Sequence, residues 1–94
     1  MYYVYALQSQ RNPKWLYIGF SEDLKNRIVS HQQGKVHSTS RYLPLRLVYY
    51  EAYLNKKDAT EREYELKHNS QQKEFLKNRI SKSLLVCPPV GDLP

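Results

Sequence analysis

Cysteine, glycine and long hydrophobic runs are all scarce in this 94-residue chain. Its single cysteine, Cys87, excludes an intramolecular disulfide framework and any zinc site built from several cysteines. No stretch approaches about 18 consecutive apolar residues, so the sequence predicts no membrane-spanning helix. The N-terminal segment has neither a basic beginning nor a long apolar run, which argues against a signal peptide. These absences favour a reduced, cytoplasmic compartment.

Acidic residues are also in the minority, with 9 Asp and Glu against 15 Lys and Arg and a formal charge of +6. This charge favours a polyanionic partner such as nucleic acid, although a generically basic soluble protein has a similar balance. The apolar share of 40% and the charged share of 26% are typical of a globular chain. The length corresponds to one domain.

Alternating and helical hydrophobic patterns divide the chain into three strands and three helices. Their order, ββαβαα, predicts an α+β fold with a three-stranded antiparallel β-sheet flanked by three helices. Residues 1–82 form the predicted domain, and residues 83–94, rich in proline, form a C-terminal tail. The predicted strands are residues 2–9, 15–20 and 45–54, and the helices begin after Ser21, after Asn55 and at Ser70.

The third predicted strand is apolar on both faces for much of its length, which is typical of a strand covered on both sides. It follows a polar, basic segment, residues 35–44, that has no regular pattern and is predicted to be a loop. Gly34 is expected to stop the first helix just before this loop.

The first two strands place two tyrosines side by side. If their hairpin is centred on Asn12, Tyr5 lies opposite Gly19 and Tyr17 lies opposite Leu7, so both phenols project from one face. Because Gly19 has no side chain, we expect an open space beside Tyr5 in which another group can approach the backbone.

Two polar residues flank the apolar stripe of the first predicted helix. Arg27 and His31 lie one turn apart beside Leu24 and Ile28, so we expect them at the margin between helix and sheet, near the tyrosines. Taken singly, each is more often an ordinary surface residue.

A carboxylate interrupts the apolar stripe of the second predicted helix. Ala59 and Leu66 recur at core-facing spacing, and Glu63 lies between them on the same face. Burying a carboxylate is costly unless it is paired or bound to a cation. Glu63 is therefore predicted either to pair with Arg27 or to bind a cation, whereas its neighbouring glutamates point to solvent.

Four short sequence blocks follow one another along the chain: YVY at residues 3–5, YIG at residues 17–19, the Arg27–His31 pair, and AxxREYxLK at residues 59–67. In this order and at these spacings, the blocks together resemble the GIY-YIG nuclease superfamily. The closest resemblance is to its small stand-alone bacterial members, which are similar to the N-terminal nuclease domain of the UvrC excision-repair protein. One departure is Tyr3, which stands where the family name has its first glycine.

The resemblance implies a metal-dependent endonuclease that hydrolyses phosphodiester bonds in DNA, with specificity for structure rather than sequence, in DNA repair or recombination. It implies one divalent cation, Mg²⁺ or Mn²⁺, with Glu63 as its single protein ligand; such cations keep several waters, so one carboxylate suffices. The resemblance also implies that Gly19, the glycine of the YIG block, lies beside the catalytic site. The implied catalytic residues are Tyr5, Tyr17, Arg27, His31 and Glu63.

Polar and basic residues supply candidate contacts to nucleic-acid phosphates. They support binding to the backbone of DNA, with RNA as the alternative, and no membrane partner is expected. The candidate binding residues are Lys35, His37, Ser38, Thr39, Arg41 and Lys67.

Two other functions compete with the nuclease. One is a non-catalytic nucleic-acid-binding module that retains the nuclease fold, and the other is a protein-binding domain that uses its tyrosine-rich sheet. The complete set of five catalytic-type residues favours the enzyme. The sequence leaves the oligomeric state open between monomer and homodimer.

Overall fold

The computed structural model describes residues 1–85 and contains a three-stranded antiparallel sheet with helices on both faces. The predicted α+β class is therefore confirmed. The order is ββααβαα, because a short additional helix lies in the segment predicted to be a loop. The elements are β1 (Tyr2–Ser9), β2 (Leu16–Ser21), α1 (Leu24–Gln32), α2 (His37–Ser40), β3 (Leu45–Tyr53), α3 (Lys56–His68) and α4 (Ser70–Arg79).

Strand β1 is the centre of the sheet, whose strand order is β2-β1-β3. The predicted hairpin register is confirmed, with Tyr5 opposite Gly19 and Leu7 opposite Tyr17. On its other side, β1 pairs antiparallel with β3, with a register shift between Ala6 and Leu7. The central position of β1 leaves its side chains covered from both faces.

The alternation of β1 divides the core into two clusters. Val4 and Ala6 face α3 and α4, where they pack with Ala59, Leu66 and Leu76. Tyr5 and Leu7 face the other way and pack against α1 and Trp15. The candidate catalytic residue Tyr5 is thus part of a core layer, with only 1% of its surface exposed.

Strand β3 is not covered on both sides, contrary to the prediction from its apolar sequence. It is an edge strand, and Leu47 and Tyr50 are 38% and 54% exposed. An open groove of about 630 Å³ lies between α1 and β3 and is lined by Tyr3, Ile28 and their neighbours.

Helix α1 begins later than the sequence indicated. Its N-cap is Asp23, whose carboxylate accepts a hydrogen bond from the backbone N–H of Asn26. Ser21 remains the last residue of β2, and its hydroxyl accepts from the backbone N–H of Asp23. The predicted stop is confirmed: Gly34 follows the C-cap with a φ of +74°, which few other residues adopt readily.

The predicted N-cap of α3 is also confirmed, because the side chain of Asn55 accepts from the backbone N–H of Lys57. The predicted tail begins in contact with the sheet: Gln8 donates to the carbonyl of Leu85 and accepts from its N–H. Residues 86–94, which include Cys87, lie outside the described residues. Within residues 1–85 no helix is both long and apolar enough to cross a membrane.

A polar network on the α3 and α4 side of the sheet is absent from the sequence predictions. Glu51 on β3 accepts hydrogen bonds from Tyr49, Tyr53 and Arg62. Burial disfavours its charged form, but the hydrogen bonds from Arg62, Tyr53 and Tyr49 together lower the pKa of Glu51 below its usual value. The bonds from Arg62 to Glu51 connect α3 to β3, and Arg62 also donates to Glu65 on its own helix.

Candidate active site

Three of the five candidate catalytic residues meet through one phenol oxygen. The Tyr5 hydroxyl lies 2.7 Å from Nε2 of His31, and Nε of Arg27 donates to the same oxygen over 3.4 Å. Because Arg27 and His31 are one turn apart on α1, both reach the Tyr5 face of β1. The prediction that these helix residues lie near the tyrosines is confirmed.

Tyr17 completes this group from β2. Its ring is half-buried, and its centroid lies 5.3 Å from that of His31 and 6.3 Å from that of Tyr5. Nζ of Lys67 lies 5.7 Å from the centre of the same ring, which is within the range of a cation–π contact. Lys67 therefore belongs to the site itself rather than to a separate surface.

Gly19 has a role different from the expected one. A Cβ at this position would overlap Cζ and the hydroxyl oxygen of Tyr5 and would lie 2.9 Å from Cε2 of Tyr17. The space beside Gly19 is therefore filled by Tyr5 and is not open to another group. The absence of a side chain allows the two phenols to lie against the sheet.

We expect Gly19→Ala to destabilise the fold by about 1–3 kcal/mol, because the methyl group has to displace Tyr5. Chemical unfolding would measure the loss. The matched control is the double variant Tyr5→Ala/Gly19→Ala, which should be little less stable than Tyr5→Ala alone, since the main clashing side chain is gone. A Gly19→Ala protein as stable as the wild type would contradict this account.

Glu63 lies on α3 between the buried residues Ala59 and Leu66, as helix phase predicted, but its side chain is 23% exposed. Its partner is Lys67, whose Nζ lies 3.1 Å from Oε2, and not Arg27. The negative charge of Glu63 is close enough to contribute to the raised pKa of Tyr5. Because the Glu63 carboxylate is partly exposed, a hydrated cation can reach it. A single carboxylate of this kind suits a Mg²⁺ ion that keeps most of its waters.

Burial sets the protonation states in the middle of the site. It raises the pKa of Tyr5 to about 12, although the hydrogen bond from Arg27 acts in the opposite direction. It also lowers the pKa of His31 to about 4, and the nearby positive charge of Arg27 adds to this effect. At neutral pH, Tyr5 is therefore a neutral phenol and His31 a neutral imidazole.

This pKa shift of His31 predicts acid sensitivity. Between pH 6.5 and about 4, the unfolded chain binds a proton at His31 that the folded protein does not, so stability falls as the pH falls. We expect a loss of about 2 kcal/mol between pH 7 and pH 5 in urea unfolding. His31→Phe should remove most of this dependence, whereas His68→Phe, at an exposed position, should not. An unchanged pH dependence in His31→Phe would contradict the shift.

The remaining candidate binding residues fall into two groups. Thr39 is fully buried, and its hydroxyl lies 2.8 Å from Nδ1 of His31. The sequence predicted that Thr39 contacts phosphate, but its burial prevents this contact. The others are exposed on and around α2, where three of them line a shallow pocket of about 170 Å³ with Tyr42. The exposed residues are Lys35, His37, Ser38 and Arg41.

Sequence reasoning missed the aromatic residues that connect this pocket to the catalytic group. The ring of Trp15 stacks on Tyr42 at 3.9 Å and on Tyr17 at 6.0 Å. The α2 surface and the phenols are therefore parts of one continuous face. The only available signal was the position of Trp15 two residues before Tyr17, on the same side of β2.

Comparison with known proteins assigns this arrangement to a class. Residues 1–78 match the family model described as the GIY-YIG catalytic domain. The chain therefore belongs to the GIY-YIG family, which is a nuclease family.

Individual relatives narrow the match to small stand-alone proteins. The chain is 36% identical over 73 residues to a UPF0213 protein of Lacticaseibacillus paracasei, covering 77% of this chain and 80% of the relative. It is 35% identical over 75 residues to one of Staphylococcus saprophyticus, covering 79% and 89%. The solution NMR structure of a UPF0213 protein from Bacillus halodurans matches at 31% identity and a TM-score of 0.53, covering 85% and 87%.

Proposed function

We propose that this protein is a metal-dependent endonuclease that hydrolyses phosphodiester bonds in DNA. The observation that carries the proposal is the meeting of Tyr5, Tyr17, Arg27 and His31 in one group. Glu63 on α3 is close enough for its charge to act on Tyr5. A positive charge can stabilise the charge that develops on the phosphate, and an accessible carboxylate can hold a metal ion. A phenol beside them can orient the attacking water. Membership of a nuclease family supports the same reaction.

Arg27 is the proposed anchor of the scissile phosphate. Its Nε is committed to Tyr5, which orients the guanidinium plane. The hydrogen bond to Tyr5 outweighs partial burial and raises the pKa of Arg27 further, so the group stays charged. The terminal N–H groups of an oriented guanidinium suit two non-bridging phosphate oxygens.

Glu63 is the proposed metal ligand. Within residues 1–85 no three His, Cys, Asp or Glu side chains come together around a metal position, so the site would be a single-carboxylate one. Mg²⁺ or Mn²⁺ held there would polarise the phosphate and stabilise the leaving oxygen. Lys67, which pairs with Glu63 in this structure, is then the residue that has to move or to share the carboxylate.

The water nucleophile is assigned to the Tyr17 side of the site. Tyr5 and His31 are 1% and 0% exposed, and both nitrogens of His31 already have partners. Tyr17 is half-buried and is the more accessible of the two phenols. We therefore assign Tyr17 to orienting the water, and Tyr5 and His31 to holding Arg27 and Tyr17 in place.

The exposed residues around α2 are the proposed path of the nucleic-acid backbone. Lys35, His37, Ser38 and Arg41 carry the groups that contact phosphates without reading bases, which favours specificity for structure over sequence. Branched, nicked or damaged DNA is the proposed substrate class, RNA is the alternative, and repair or recombination is the proposed role. A cytoplasmic location is part of the same proposal.

The test is a cleavage assay on linear, nicked and branched DNA and RNA, with Mg²⁺, with Mn²⁺ and with a chelator. Glu63→Gln should abolish metal-dependent cutting and retain binding. The matched control is Glu61→Gln, an exposed carboxylate on the same helix, which should cut at the wild-type rate. Equal cutting by the Glu63 variant would contradict the assigned ligand.

A second candidate function is a nucleic-acid-binding module that does not cut. The observation in its favour is that Lys67 already pairs with Glu63, while the Tyr5–His31 pair is buried. The same assay separates the two functions. Binding by the wild type, without cutting on any substrate or metal, would favour the binder over the nuclease.

A further inference from the structure

Thr39 is fully buried, and both hydrogen-bond partners of its hydroxyl are groups of the protein. Its Oγ1 lies 2.8 Å from Nδ1 of His31 and 3.3 Å from the carbonyl oxygen of Val36. Helix α2 places it there, because this four-residue turn carries Thr39 inward while the residues on either side are partly or fully exposed. The residue therefore belongs to the support of the site and not to its surface.

Counting donors and acceptors fixes the direction of each hydrogen bond. Arg27 has donors only, so it cannot accept the proton of the Tyr5 hydroxyl. That proton therefore points to Nε2 of His31, which must be the acceptor nitrogen. A neutral imidazole then carries its own proton on Nδ1 and donates it to Thr39.

The hydroxyl of Thr39 is the last side chain in this series of hydrogen bonds. Since its oxygen accepts from His31, its own proton is available for the carbonyl of Val36. The bonds then run in one direction from Arg27 through Tyr5, His31 and Thr39 to the backbone. The opposite tautomer of His31 would leave the buried proton of Tyr5 without an acceptor among its observed partners, which is costly.

We propose that Thr39 is a positioning residue that holds His31 in the Nδ1–H tautomer and thereby orients Tyr5 and Arg27. This inference rests on the proposed nuclease function for its effect on rate, but not for the tautomer itself. Thr39 acts through His31 and touches no substrate. The same bond also serves a protonated His31, since Nδ1 carries a proton in both states.

The first measurement is the tautomer of His31 in the wild-type protein. Long-range ¹H–¹⁵N spectra at pH 7 distinguish a protonated nitrogen from an unprotonated one in the imidazole ring. We expect a protonated Nδ1 and an unprotonated Nε2. A protonated Nε2 would overturn the inference, and this result needs neither a variant nor any cleavage activity.

The second measurement uses Thr39→Val, which keeps the shape and removes the acceptor. Without the Thr39 hydroxyl, each neutral tautomer of His31 leaves one buried proton without an acceptor, so we expect Nε2–H to become a populated tautomer. We expect cleavage to fall about 10- to 100-fold, the range found when the outer partner of a metal-bound histidine is removed. Thr39→Ser should restore both, and Ser40→Ala should change neither. A Thr39→Val protein with the wild-type tautomer and rate would overturn the inference.

The two readouts separate this inference from the proposed function. If no protein cuts any substrate, the nuclease proposal fails while the spectra still decide the tautomer. If Thr39→Val does not fold, the wild-type spectrum still tests the tautomer, and Thr39→Ala, which also lacks the hydroxyl, takes the place of Thr39→Val. A Thr39→Ala protein with the wild-type tautomer and rate would equally overturn the inference.

Discussion

Replacing Arg27 with lysine is expected to lower DNA cleavage by about 100- to 1,000-fold while leaving the fold in place. Nε of Arg27 donates to Tyr5, and in the proposed mechanism the terminal N–H groups of the same guanidinium bind the phosphate. Lysine keeps the charge but has a single nitrogen, so it cannot make both contacts at once. The measurement is the single-turnover cleavage rate at saturating protein.

The matched control for Arg27 distinguishes position from net charge. Lys25 lies on the same helix, is exposed, and lines the groove between α1 and β3. Lys25→Gln and Arg27→Gln each remove one positive charge, so equal losses of activity would mean that only electrostatic attraction matters. We expect Lys25→Gln to cut at nearly the wild-type rate. Lys25→Gln and Arg27→Lys should unfold at the same denaturant concentration, which would show that the lower activity of Arg27→Lys does not come from a loss of stability.

The hairpin register was predictable from sequence because two local rules agree on it. Strand side chains alternate, and a short polar turn between two strands allows few pairings. Together these rules place Tyr5 opposite Gly19, which the structure confirms. They do not reveal what fills the space beside Gly19, because this depends on how the Tyr5 ring packs under α1.

The position of Glu63 was also predictable, but its partner was not. Helix phase alone places Glu63 between two buried residues. Its partner depends on competition: Lys67 is one turn away on the same helix and always within reach, whereas Arg27 is already bonded to Tyr5. A pairing between two helices cannot be derived from the phase of either one.

Thr39 shows a different limit of sequence reasoning. A hydroxyl in a polar, basic segment is typical of a phosphate contact, and no periodicity marks a helix of four residues. Its burial follows from the contact between α2 and His31, which only the folded chain brings together. The same limit applies to β3, because its apolar sequence does not reveal that Leu47 and Tyr50 stay exposed at the edge of the sheet.

Replacing Glu51 with glutamine is expected to lower the free energy of unfolding by about 3 kcal/mol, because it leaves the charge of Arg62 without its main partner. The side chains of Glu51 and Arg62 are only 14% and 23% exposed, so water cannot fully replace the lost bonds. The carboxylate also accepts from Tyr49 and Tyr53. Urea unfolding at pH 7 measures the loss, and the control is Glu74→Gln, whose exposed pair with Lys77 should contribute less than about 0.5 kcal/mol.

The pH dependence of this effect identifies its origin. The pKa of Glu51 is lowered in the folded protein, so its stabilisation is present above the ordinary carboxyl pKa of 4.5 and is lost as the pH falls through the folded value. The gap between wild type and Glu51→Gln should therefore be full at pH 7 and should narrow below pH 4.5. A gap that stays constant down to pH 3 would mean that glutamine disturbs packing instead of removing a charge, and would contradict the ionic account of the network.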